Sequence, residues 1–147
     1  MALLLTTKFF PPPAPAGFVA RPQLLEELDE ALTRRLTLVS APAGAGKTVL
    51  VSAWVRAKRR SGAAAFVWLS LDEADNAPKR FWEYLVASLE EGGVDLESVH
   101  ILPENGDSGA EMQVLLGMLG EWLNLSGELV VILDDYHVIQ NPEIHAA

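Results

Sequence analysis

Leu36-Thr37-Leu38-Val39-Ser40-Ala41-Pro42-Ala43-Gly44-Ala45-Gly46-Lys47-Thr48 is the stretch on which the reading of this chain turns. Leu36 to Ser40 is a short, β-branched-rich run and predicts a buried strand. Ala41 to Thr48 is the phosphate-binding loop pattern, with alanine in place of its first glycine. From about Lys47, the apolar positions Val49, Leu50, Trp54 and Val55 predict a helix that stops near Gly62. The order strand, loop, helix gives the pattern a physical purpose. Gly44 and Gly46 let the chain curl so that successive backbone N–H groups point inward, and the helix presents its positive end to the same place. Lys47 is then placed to reach the β- and γ-phosphates of a nucleotide, and the Thr48 hydroxyl to ligate Mg2+. Ala43, Ala45 and Val49 complete the stretch that would line the phosphates. A glycine-rich turn with an incidental lysine is the bland alternative, and the strand–loop–helix placement speaks against it.

Outward from this loop, strands and helices alternate. Before it, Pro22 opens a helix with Leu24, Leu25, Leu28, Ala31 and Leu32 on one face and Glu26, Glu27 and Glu30 on the other. Earlier still, residues 1–20 form a lead-in whose Pro11-Pro12-Pro13-Ala14-Pro15 reads as an extended, stiff arm over the domain, or less simply as a ligand for a proline-recognition domain. After the loop, Ala64 to Leu69 predicts a second strand running into the acidic turn Asp72-Glu73-Ala74-Asp75-Asn76. Pro78 opens a helix with Phe81, Trp82, Leu85, Val86 and Leu89 inward, ended by Gly92-Gly93. Residues 94–108 read as irregular, and 110–125 as a helix carrying Met112, Leu115, Leu116, Leu119 and Trp122. Leu129 to Leu133 is a continuous apolar strand ending on Asp134-Asp135. The pattern predicts an α/β fold, with parallel strands buried on both faces. The four tryptophans sit on apolar patterns and read as core.

Composition narrows the function. The chain has 147 residues, half of them hydrophobic, with 11 basic and 20 acidic side chains, a net charge of −9 and no cysteine. That is one domain or part of one, with enough apolar residues for a core. Disulfides and cysteine-ligated zinc are excluded. No run approaches the ~18 apolar residues of a membrane helix, and Met1 to Leu5 is too short for a signal-peptide core. The expectation is a soluble cytoplasmic protein. Residues 36–62 carry Lys47, Arg56, Lys58, Arg59 and Arg60 with no acid, whereas residues 63–147 carry Lys79 and Arg80 against sixteen acids. Such a balance is poorly suited to coating a nucleic-acid backbone. It suits one small polyanion near the basic segment. Arg56, Lys58, Arg59 and Arg60 read more simply as a solvated helix end favoured by the dipole.

A carboxylate at the C-terminal edge of a buried parallel strand matches the second acidic motif of P-loop NTPases. Asp134 is the expected Mg2+ holder, and Asp135 the residue that orients or deprotonates an attacking water. The alternative is a strand-end turn capped by two aspartates. Many hydrolysing relatives carry glutamate where Asp135 stands, so slow hydrolysis is expected. Asp72, Glu73 and Asp75 read as a solvated loop rather than a metal cluster. His100, His137 and His145 show no ligand spacing or triad logic, and His137 is near enough in sequence to the acidic motif to contact the site.

Together these residues resemble the ATPase domain of the MalT-like, large LuxR-type transcription regulators of bacteria, in the STAND class of signalling NTPases. The resemblance covers essentially the whole chain. It includes Thr7-Lys8, Ala20-Arg21-Pro22, Leu36 to Thr48, Trp68-Leu69-Ser70-Leu71-Asp72-Glu73 with Asp75-Asn76, Arg80-Phe81-Trp82, and Leu133-Asp134-Asp135-Tyr136-His137. It implies a three-layer P-loop NTPase with a parallel sheet, and a switch between an ADP-bound closed form and an ATP-bound oligomerising form. It also implies that Arg21 contacts the base or ribose side of the nucleotide. Residues 21–147 would be the N-terminal part of that domain, incomplete at the C-terminus. A later strand ordinarily inserts between the loop strand and the second acidic strand. Inducer, self-association and DNA contacts would then belong to regions beyond this stretch. A free-standing P-loop kinase or hydrolase, and a fragment that binds no nucleotide, are the competing readings.

Overall fold

The computed structural model describes residues 5–13, 19, 21–34, 37–40, 46–62, 64–94, 113, 117–118 and 128–146. The chain divides into two compact units, Pro11–Ala64 and the combination of Met1–Phe10 with Ala65–Ala147.

In the first unit, α1 spans Pro22–Asp29, with proline in its first turn, and a 3-10 turn continues it over Glu30–Thr33. The long helix α2 spans Lys47–Ser61 and ends on Gly62. It buries Ser52, Trp54 and Val55. The Trp54 Nε1–H donates to Asp29 Oδ1 at 2.8 Å, and Lys58 Nζ lies 2.7 Å from the same oxygen. These bonds join the end of α1 to one face of α2. They hold the Asp29 carboxyl below its ordinary value, chiefly through Lys58 and then through Trp54. On α2, Ser52 Oγ donates to the Pro12 carbonyl at 2.8 Å, and the Arg56 guanidinium donates to the same oxygen. Arg56 and Lys58 are therefore partnered rather than merely solvated, and Arg59 and Arg60 have exposed side chains at the helix end. Of the strand expected over 36–40, residues 37–40 are described; they have no regular structure, and Leu38 is 84% exposed. A strand is held by its neighbours' backbone groups, which a favourable composition cannot replace.

The second unit is built on two parallel strands, β1 (Ala65–Ser70) and β2 (Leu129–Asp134), paired in register from Ala65 opposite Leu129 to Ser70 opposite Asp134. Parallel strands need a crossover between them, and α3 (Pro78–Glu91) lies in it. Of the helix expected over 110–125, Gln113, Gly117 and Met118 are described, and all three are helical; Trp122 lies outside the described residues. Phe66, Val67, Trp68 and Leu69 are buried on both faces of β1, as a parallel-sheet strand requires. β2 departs from that expectation, being half-buried, with Val131 39% exposed. The strands and helices make an α/β unit compatible with a P-loop-type fold but incomplete.

α3 packs Phe81, Trp82 and Tyr84 with Leu69, Leu71, Phe9, Ile139 and Ile144 in one cluster, and Leu89 with Val67 and Val94 in another. Trp54, Trp68 and Trp82 are all buried, in line with their apolar patterns. The chain leaves α3 through Gly92, where a Cβ would fall 2.5 Å from Val67 Cγ2, so the helix end lies too close to β1 for a side chain. A short helix, α4 (Pro142–Ala146), follows β2. The lead-in also differs from the extended reading. Thr6–Phe9 forms a 3-10 turn and Phe9 joins the core, because its ring stacks at a tilt against Tyr84, with centroids 6.0 Å apart.

Candidate functional site

The residues singled out by sequence fall in both units, and each group is taken separately. In the first unit, Gly46 precedes α2 with φ 82° and ψ 23°, a left-handed conformation that favours glycine. The Leu50 N–H bonds the Gly46 carbonyl at 2.9 Å, so the helix begins at once, with Lys47 as its first residue. Gly46 has no side chain with which to cap this end, and the first turn holds no acid, while Lys58, Arg59 and Arg60 occupy the last turn. The N–H groups of the first turn and the half-buried Lys47, Thr48 and Val49 form a positive end suited to an oxyanion. Ala43, Gly44 and Ala45 lie outside the described residues. Arg21 is exposed, at the residue before α1, and its carbonyl accepts from the Leu25 N–H at 3.1 Å.

In the second unit, Asp134 is the last residue of β2. It is half-buried, and its carbonyl accepts from the Leu71 N–H at 3.0 Å. It stands at the carboxyl edge of the parallel sheet, where α/β proteins ordinarily receive ligands. A carboxylate there fits a hard divalent cation. Asp135 follows with φ 60° and ψ 34°, and its exposed side chain lies 4.0 Å from His137 Nδ1. Among the described residues it is the non-glycine residue with positive φ, and such conformations persist where surrounding structure enforces them. Tyr136 Oη and His145 Nδ1 meet at 3.0 Å just beyond.

The acidic turn after β1 is not the solvated loop its composition suggests. Asp75 has no exposed surface. Its Oδ2 lies 2.5 Å from Lys8 Nζ and accepts from the Asp72 N–H at 2.8 Å, and its Oδ1 accepts from Arg80 Nε at 3.1 Å. Asp72 takes a second bond from Lys8 at 2.9 Å and caps the Ala74 N–H, which closes a reciprocal capping box over Glu73–Asn76. Lys8 Nζ also stands 4.5 Å from the Tyr84 ring centre, and the Arg80 guanidinium 5.0 Å from it. Lys8 holds the Asp72 carboxyl below its ordinary 3.8, and Asp75 holds the Arg80 guanidinium above its own. Two cations satisfy these acids, and no group of three acids or histidines suited to a metal occurs among the described residues. Sequence reasoning missed this cluster, although Lys8 and Asp75 both belong to segments that carry the resemblance.

No protein-family model matches the chain. Similar proteins are HTH-type transcriptional regulators MalT. The chain is 34% identical over 146 residues to that of Cronobacter sakazakii, 38% over 149 residues to that of Serratia proteamaculans, and 37% over 149 residues to that of Yersinia enterocolitica. Each match takes in 99% of this chain and 16% of the relative. The chain is thus a homologue of the MalT-type HTH transcriptional regulators along nearly all of its own length, and spans about one sixth of theirs.

Proposed function

We propose that this chain is the nucleotide-binding part of a MalT-like transcriptional regulator, and that it takes Mg-ATP and Mg-ADP as the two states of a switch. The observation that carries the reading is the start of α2. Gly46 in the left-handed conformation leads directly into Lys47 and Thr48, the first two residues of the helix. In this reading the Ala43–Gly46 backbone and Lys47 hold the phosphates, and Val49 lies beside them. Thr48 and Asp134 hold the metal, and Arg21 meets the base or ribose side. Mg2+, when bound, neutralises charge on the β- and γ-phosphates. Asp135 accepts a hydrogen bond from the attacking water and orients it, with slow turnover. Residues 21–147 act as one part of a larger cytoplasmic NTPase domain, behind a lead-in over 1–20. Inducer binding, self-association and DNA binding belong to the longer protein, in keeping with the name its relatives carry.

The test is the metal dependence of nucleotide affinity, read with a fluorescent ATP analogue. Mg2+ is expected to tighten binding to the unaltered chain about tenfold or more, and to have little effect on Asp134→Asn. Equal Mg2+ dependence in both proteins would remove Asp134 from the site.

A further inference from the structure

Asn76 ends the acidic turn after β1, and both faces of its amide are used. Nδ2 donates to the carbonyls of Glu73, at 2.9 Å, and Val138, at 2.8 Å. Oδ1 accepts from the N–H groups of Gln140, at 2.6 Å, and Asn141, at 3.2 Å. The Asn76 carbonyl in turn accepts from Asn141 Nδ2 at 2.8 Å. One side chain from the loop after β1 thus grips three residues of the loop after β2. Ile139, in the middle of the gripped stretch, is buried in the core, which keeps that stretch from sliding.

Asp135 lies between this grip and the end of β2. Its side chain makes no capping bond to its own turn, so its left-handed backbone is not self-imposed. That conformation is unfavourable for a residue with a Cβ. On one side, Asp134 is fixed opposite Ser70 by the strand register. On the other, Val138 is fixed by Asn76, and the Val138 N–H closes back on the Asp135 carbonyl at 3.1 Å. The chain has three residues, 135 to 137, in which to turn from one anchor to the other.

We propose that Asn76 is a positioning residue: its amide pins the loop after β2 so that Asp135 is held left-handed at the carboxyl edge of the sheet. The hold on the backbone stands on the hydrogen bonds alone. What Asp135 then does rests on the nucleotide reading above.

The experiment uses the whole chain, isotopically labelled, and reads the Asp135 Cα and Cβ chemical shifts, which report its backbone region. Asn76→Ala is expected to move them from left-handed to extended or right-handed values. Unchanged shifts in a folded Asn76→Ala would overturn the proposal. Should that variant fail to fold, Asn76→Asp keeps the acceptor for Gln140 and Asn141 but loses the donor to Val138. It is expected to release Asp135 as well, and unchanged shifts there would be equally fatal. Mg-ATP hydrolysis supplies the second readout. Loss of positioning is expected to lower kcat about tenfold with KM nearly unchanged, whereas general loosening would raise KM too. An unaltered chain that binds no nucleotide would overturn the nucleotide reading and leave the shift result to decide the role of Asn76.

Discussion

Lys8 brings a buried ammonium to Asp75, a carboxylate with no exposed surface, and shares it with Asp72. Burying such charges is tolerable only while each is paired and hydrogen-bonded. Lys8→Met leaves Asp75 with Arg80 as its remaining cation among the described residues, and is expected to cost about 3 kcal/mol in chemical denaturation. A loss below about 1 kcal/mol would show the cluster to be incidental. Acid should act at the same place. The Asp72 carboxyl is held below 3.8, chiefly by its bond to Lys8. A depressed acid contributes stability above its ordinary pKa and loses it as pH falls through the lowered one. The melting temperature is therefore expected to fall as pH drops below about 4, and less steeply in Lys8→Met. None of this is visible locally in the sequence. Lys8 and Asp75 are 67 positions apart, and a run of acids after a strand reads as solvated until its partner is found. Asn76 was hidden for the same reason, since three of its partners come from residues 138–141.

At the scale of elements the sequence was more readable, because periodicity is a local property. The boundaries of α2, β1, α3 and β2 follow from apolar spacing with Gly62, Pro78 and Gly92 as punctuation. The face of α3 was only partly legible. Tyr84 is buried beside Phe81, Trp82 and Leu89, drawn in by Phe9 and by the Leu5 N–H that its hydroxyl accepts at 3.1 Å, while Leu85 and Val86 are half-buried. Residues 37–40 depart from the strand expectation for the opposite reason, since a strand-like composition cannot supply the neighbour a strand needs. Gly92 shows how tightly α3 meets β1. Its φ of −76° would suit any residue, so the requirement there is space. Gly92→Ala is expected to destabilise by about 1–3 kcal/mol through overpacking against Val67. Thermal melts of Gly92→Ala with and without Val67→Ala test this: partial recovery in the double variant is the expected result, and strict additivity would contradict it.

For the molecule as a whole, residues 43–49 and Arg21 belong to one compact unit, and Asp134 and Asp135 to the other. The homology spans all of these positions, yet takes in 16% of each relative. Among the described residues no helix is long and apolar enough to cross a membrane. The net charge of −9 contrasts with the run of basic residues at 47–60, which holds no acid. The most direct measurement is calorimetric titration of the whole chain with Mg-ATP, repeated on Lys47→Ala. Saturable one-to-one binding in the micromolar range is expected for the unaltered chain, weakened about tenfold or more when the lysine is removed. Absence of binding, or equal affinity in the two proteins, would contradict the assignment of Gly46 and Lys47 to the phosphates.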